Sequence, residues 1–238
     1  MPVPPLHFRL GQAIQREYTP LFFTSPQTTD VSDLGFKVLE SVWGTDLGGD
    51  TVAYGLILED ITPQTDPAPL YVVGCGTRTA VEWAMDALAL LDQVPWAPAG
   101  VKAHRGFLGL AAGLKTSQGI ILPDFVGSRP VCVSGHSLWA ATATLLAARL
   151  PAAELVAFAS PRVWNQAGAD WAETRVPKKA IYLRSGPDED IVTCLPPVFP
   201  EPFRHQQAII HVTGATKLPT EADRHSIPAY LEAMALLP

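Results

Sequence analysis

The chain has 238 residues, 47% hydrophobic and 17% charged, with a formal net charge of −6. That length can bury a large single core, so one α/β domain over residues 1–238 is expected, with residues 1–50 a helical and loop segment packing on it. The acidic balance comes without basic clusters, which argues against a nucleic-acid partner, and no stretch approaches the roughly 18 uninterrupted apolar residues of a membrane-spanning helix.

In chain order, Met1-Pro2-Val3-Pro4-Pro5-Leu6-His7-Phe8-Arg9 lacks the basic start and apolar run of a secretory signal. A cytoplasmic location is therefore the default expectation, unless a leader was removed. Residues 20–29 read as a loop and 31–42 as an amphipathic helix. From residue 50 the pattern becomes regular. Apolar, β-branched runs at 51–58, 70–73, 131–133, 155–159, 180–183 and 208–212 read as strands. Helical stretches are expected at 79–91, 105–114, 138–150 and 164–174. This alternation predicts a largely parallel central sheet with helices on both faces, whose reactive groups gather just beyond the strands' carboxyl ends. The three cysteines, Cys75, Cys132 and Cys194, are odd in number and far apart, which fits free thiols rather than a disulfide framework or a metal site.

The motif that carries chemistry is Gly135-His136-Ser137-Leu138, the one Gly-x-Ser among 18 glycines. It joins the strand at 131–133 to the helix at 138–150, which Pro151 stops. A serine at such a turn can serve simply as a helix N-cap. A serine on a sharp strand-to-helix turn also has its hydroxyl thrust clear of the sheet, with the helix's first amides aimed at a reacting carbonyl.

Serine needs a histidine base oriented by a carboxylate. In α/β-hydrolases the chain order is Ser, acid, His, which removes His7 and His104, and His136 is adjacent to Ser137 and points the wrong way. His211 lies in an apolar run and reads as a strand histidine satisfied locally. His225, in a polar loop before the last helix, is preferred over His205. Among the acids, Asp170 is on a helix and Asp223 is too close to His225 in sequence. Asp188 and Asp190 follow the strand at 180–183, where such a fold places its acid. For the oxyanion, the Leu138 amide is one donor and Thr77, after Gly74-Cys75-Gly76, is the candidate for the second.

These blocks resemble the class 3 lipases, the fungal-lipase-like branch of the α/β-hydrolases, over roughly residues 50–235. Leu70-Tyr71-Val72-Val73-Gly74-Cys75-Gly76-Thr77 is similar to that family's strand ending in Arg-Gly-Thr/Ser, and Val81-Glu82-Trp83-Ala84-Met85-Asp86 to the segment after it. His104-Arg105-Gly106-Phe107 resembles His-x-Gly-Phe, and Gly135-His136-Ser137-Leu138 resembles the start of Gly-His-Ser-Leu-Gly-Gly. Ser160-Pro161-Arg162-Val163 and Asp190-Ile191-Val192-Thr193-Cys194-Leu195-Pro196-Pro197 match two further blocks. The last selects Asp190 over Asp188, and the final histidine matches His225 ahead of Tyr230-Leu231.

The resemblance implies carboxylic ester hydrolysis of acylglycerol-type lipids through an acyl-enzyme, without metal or organic cofactor. Ser137 would attack, His225 would carry the proton and Asp190 would hold its imidazole. Trp83, His104 and Trp139 are candidates for the substrate pocket. The segment at 79–91 would be either a core helix or a mobile lid that meets lipid aggregates. A small-substrate acyl esterase or thioesterase is the alternative within enzymes, and a non-catalytic ligand-binding relative the alternative outside them. Three departures stand out: Cys75 in place of the family's Arg, Gly74 in place of its preceding aromatic, and Trp139 in place of glycine. Trp139 is expected to fill the volume vacated at Gly74 and Cys75.

Overall fold

The structure is a computed structural model that describes residues 4–45, 49–76, 90–151, 153–196, 202–215 and 217–237, the side chains of residues 20 and 21 excepted. In chain order it begins with α1 (Pro5–Glu17), α2 (Pro20–Thr24), β1 (Phe36–Thr45), β2 (Thr51–Asp60) and β3 (Leu70–Gly74). A short ribbon of β4 (Leu91–Gln93) and β5 (Lys102–His104) follows, then α3 (Arg105–Gly113), β6 (Lys115–Thr116) and α4 (Leu122–Val126). The elements that carry the motif are β7 (Val131–His136) and α5 (Leu138–Arg149), succeeded by β8 (Ala153–Phe158), α6 (Gln166–Arg175) and β9 (Lys178–Arg184). β10 (Ile209–Val212), α7 (Glu221–Arg224) and α8 (Ile227–Ala235) complete the described elements.

One sheet runs in the order β10-β9-β8-β7-β3-β2-β1-β6. Neighbours are parallel from β10 to β3 and antiparallel from β3 through β2 and β1 to β6. The parallel half follows from the sequence, because its strands are apolar on both faces. Val131 and Val133 enter one core while Cys132 enters the other, and Leu155 and Ala157 oppose Val156 and Phe158 in the same way. The first core lies under α3, α5 and α6; the second lies under α1 and α8. Such two-sided burial accounts for short runs without polar alternation.

α5 is buried at every position from Leu138 to Ala148. A helix apolar on all faces belongs in the interior. Its two threonines fit there because each hydroxyl donates back one turn, Thr142 to the Leu138 carbonyl at 3.1 Å and Thr144 to that of Ala140 at 3.0 Å. Among the described residues, no helix is long and apolar enough to cross a membrane.

The expected helix at 31–42 is corrected: residues 36–45 are β1, paired along its length with β2. Register shifts between Val38 and Glu40 and between Val42 and Trp43 break the strand's alternation, so buried Phe36, Glu40, Ser41, Val42 and Gly44 mimic a helical spacing. The loop expected at 20–29 holds α2 and a 3-10 turn at Pro26–Thr28. α1 falls within the helical and loop segment expected over residues 1–50, although no helix is placed at Pro5–Glu17 by the sequence pattern. Most of the helix expected at 79–91 lies outside the described residues; Leu91, at its end, begins β4. His211, expected to be satisfied within its strand, is exposed on the edge strand β10.

Candidate active site

Four chain segments converge at the carboxyl ends of the parallel strands. Ser137 follows β7, Gly76 lies just past β3, Asp190 stands beyond β9 and His225 beyond β10. Ser137 occupies a left-handed backbone conformation, φ 62° and ψ −130°, at the junction with α5. For a residue with a Cβ that conformation costs on the order of 1–3 kcal/mol and survives only when its surroundings impose it. Here the Ser137 amide donates to the Phe158 carbonyl of β8 at 3.0 Å, while its own carbonyl accepts from Ala140 at 2.9 Å. Strand and helix thus pin the turn from both sides.

Glycine is required at two neighbours. A Cβ on Gly76 would lie 2.8 Å from the Ser137 Cβ, and one on Gly135 would lie 2.3 Å from the Trp139 ring and 2.8 Å from main chain. The amide of Leu138, the first helical residue, has no acceptor within its helix, as at every helix start.

The His225 ring is held at both nitrogens. Nε2 lies 2.7 Å from Ser137 Oγ and Nδ1 2.8 Å from Asp190 Oδ2. Asp190 caps the 3-10 turn Ile191–Cys194, and its Oδ1 accepts from the Val192 amide at 3.0 Å. Oδ2 also accepts from the Tyr230 hydroxyl at 2.7 Å. Burial alone would push this carboxyl up, but the bond and charge of His225, with the Tyr230 hydroxyl and His136, outweigh it and leave it below the ordinary carboxylate range. The acid is therefore an anion at neutral pH. Tyr230 is a contributor that sequence reasoning noticed only as a motif neighbour.

The other candidates separate clearly. Asp188 offers its main-chain carbonyl to Arg184 Nε at 3.4 Å, and His205 Nε2 bonds the Thr193 carbonyl at 2.9 Å. His104 is buried between the rings of Phe107 and Phe203, centroids 4.3 and 5.6 Å away, with neither ring nitrogen hydrogen-bonded. Thr77 and Trp83 lie outside the described residues. A surface groove lined by Glu59, Asp66 and Arg129 sits by the β2–β3 connection, at the strand ends opposite Ser137. Among the described residues, no group of three or more His, Cys, Asp or Glu side chains could hold a metal ion.

Trp139 is fully buried and stacks on Tyr54, centroids 5.9 Å apart and planes 17° apart. A Cβ on Gly74 would lie 2.2 Å from its ring, so the indole does occupy the space above that glycine. The expected compensation at Cys75 is corrected. Successive strand residues point to opposite faces, and Cys75 joins the other core, 3.9 Å by its Sγ from the Glu17 carbonyl. There the Glu17 carboxyl is wholly buried beside Cys75, and burial pushes it well above the usual range.

These groups set opposing pH dependences. Burial lowers His136 to about 3, and His104 and His205 each to about 4, from 6.5 in the unfolded chain. Stability from those neutral rings is present above pH 6.5 and is lost as pH falls through the folded values. Glu17 acts in the other sense: its contribution is complete below the unfolded value of 4.5 and is lost as pH rises. Glu17→Gln is therefore expected to melt at a higher temperature than the parent at pH 8 and to match it near pH 4. Equal melting shifts at both values would rule out the buried acid as the cause.

Residues 71–199, more than half of the chain, match the model of the lipase (class 3) family. The chain belongs to the class 3 lipase family. It is similar to phospholipase A(1) DAD1, chloroplastic, of Arabidopsis thaliana, 29% identical over 148 residues, which are 52% of this chain and 32% of that protein. The chain thus spans about a third of the length of the curated relative it matches. Among solved structures, the mono- and diacylglycerol lipase from Aspergillus oryzae superposes with a TM-score of 0.67 at 19% identity, covering 98% of this chain and 96% of that one. The native Rhizomucor miehei lipase propeptide complex gives 0.62 at 21%, covering 97% and 77%. At those identities the likeness establishes the α/β-hydrolase fold of this class 3 lipase family member.

Proposed function

We propose that this class 3 lipase family member is a serine hydrolase of carboxylic esters, with lipid esters of the acylglycerol type as its substrate class. The observation that carries this reading is the unbroken hydrogen-bond chain from Asp190 through His225 to Ser137, with its 2.8 and 2.7 Å links. Ser137 Oγ attacks the ester carbonyl as His225 Nε2 takes its proton, and anionic Asp190 stabilises the imidazolium through Nδ1–H. The Leu138 amide binds the developing oxyanion, with Thr77 as the second donor. His225 then protonates the departing alcohol, and a water deprotonated by the same ring releases the acid.

Contact with lipid aggregates is part of the proposal. Ile191, directly after Asp190, presents an apolar side chain that is 54% exposed. A fluorophosphonate probe should label Ser137 stoichiometrically and abolish turnover of chromogenic esters. A chain-length series below and above each ester's aggregation point should show turnover rising with aggregation. Full labelling at another residue with Ser137 unmodified would defeat the assignment; turnover indifferent to aggregation would defeat only the interfacial part.

A further inference from the structure

The catalytic reading uses one of two neighbouring histidines. His136, buried beside His225 with ring centroids 4.9 Å apart, is bonded at both nitrogens. Nε2 lies 2.6 Å from the main-chain carbonyl oxygen of His225, and Nδ1 lies 2.6 Å from the Tyr18 hydroxyl. A carbonyl oxygen only accepts, so Nε2 carries the hydrogen. Burial and the adjacent His225 ring keep His136 neutral down to about pH 3, so Nδ1 is an acceptor and Tyr18 must donate to it. The Tyr18 oxygen is then free to accept, and it does so from the Gly76 amide at 2.9 Å. Each of the three bonds has a single allowed direction.

We propose that Tyr18 and His136 are positioning residues, a relay that runs from the Gly76 amide to the His225 carbonyl and fixes the base relative to the oxyanion-binding strand end. This rests on the reading of Ser137 as nucleophile and His225 as its base. Two consequences support it. Gly76 packs against Ser137, and its amide is spent on Tyr18, so the relay fixes the strand end that faces the nucleophile. His225 sits at the end of the four-residue helix α7, where its amide bonds the Glu221 carbonyl at 2.9 Å and His136 supplies the bond at its own carbonyl. The base is thus tied at both main-chain polar groups as well as at its ring.

The relay also suits the chemistry. When His225 accepts the serine proton it becomes a cation, and a neutral His136 does not oppose that charge. Tyr18 directly follows α1 and precedes the family-matched residues 71–199, so the N-terminal segment completes the site.

The test is Tyr18→Phe in the full chain, with Tyr182→Phe as the matched control. Tyr182, on β9, also belongs to a buried tyrosine–histidine pair, its hydroxyl 2.7 Å from Nδ1 of His7 on α1, and takes no part in the hydrogen bonds among Tyr18, Gly76, His136 and His225. The expected result is a fall in kcat of about 10-fold for Tyr18→Phe with KM within twofold, the signature of an interaction that matters in the transition state. The control should lose comparable stability and keep its kcat. Equal falls in both variants, or an unchanged kcat in folded Tyr18→Phe, would overturn the relay. Ring nitrogen NMR of the unmutated protein gives an arm independent of folding: a neutral, Nε2-protonated His136 is expected, and the Nδ1-protonated form would overturn it. If Ser137→Ala keeps its activity, the nucleophile assignment has failed; a normal Tyr18→Phe beside an inactive Ser137→Ala condemns the relay alone.

Discussion

Ser137→Ala is expected to lower turnover of a chromogenic ester by about 10⁶-fold, the scale on which loss of the nucleophile disables a serine hydrolase acting as a coupled unit. The same variant should fold normally, because alanine fills the serine's space and the Ser137 amide and carbonyl keep their partners in β8 and α5. Asp190→Asn should cost about 10⁴-fold. Its smaller effect follows from what the carboxylate does: it selects the tautomer and supports the imidazolium, while Ser137 and the ring remain. Ser137→Gly separates chemistry from strain. It removes the nucleophile but relieves a backbone held at φ 62°, so it should be inactive and more stable than Ser137→Ala, seen as a higher melting temperature. Measurable single-turnover acylation in Ser137→Ala would end the proposal.

Replacing Trp139 should have the largest effect on stability. Trp139→Gly deletes a fully buried indole and puts glycine in the first turn of α5, with an expected loss of about 3–5 kcal/mol. Gly74→Phe in the presence of Trp139 should be comparably damaging, since even a Cβ at that position would meet the ring at 2.2 Å. The pair together should recover much of the loss, because one aromatic ring then occupies the volume of the other. A double-mutant cycle by denaturant unfolding would read that coupling, and additive losses would show that the two positions do not share the space. The Trp139 indole nitrogen has no hydrogen-bond partner, so the parent itself carries a buried donor that a phenylalanine from Gly74 would not.

The parallel half of the sheet was legible because its strands are short apolar runs closed by turns, a pattern that two-sided burial imposes directly. Ser137 and Leu138 could be read from local order alone, strand then glycine then serine then helix. His225 emerged by elimination among six histidines, whereas choosing Asp190 over Asp188 needed the family resemblance, since both follow β9 and no local signal ranks them. β1 was misread because its two register shifts erase the period-2 signal. Tyr18 and Glu17 were invisible for a different reason: their roles come from contact with Gly76 and Cys75, 58 residues away along the chain. Trp139 was read as an oddity whose consequence at Gly74 was anticipated, while the alternation of strand faces sent Cys75 elsewhere.

The relay joins Tyr18, Gly76, His136 and His225, and this order of residues has a consequence for biosynthesis. A nascent chain that has just emerged past α5 holds the serine, its turn and Tyr18, but His225, 76 residues beyond the end of α5, has not yet been added. Under the proposed triad, hydrolysis can begin only when the loop that carries His225 reaches the sheet, so a growing polypeptide stays chemically silent toward esters until synthesis has passed α8.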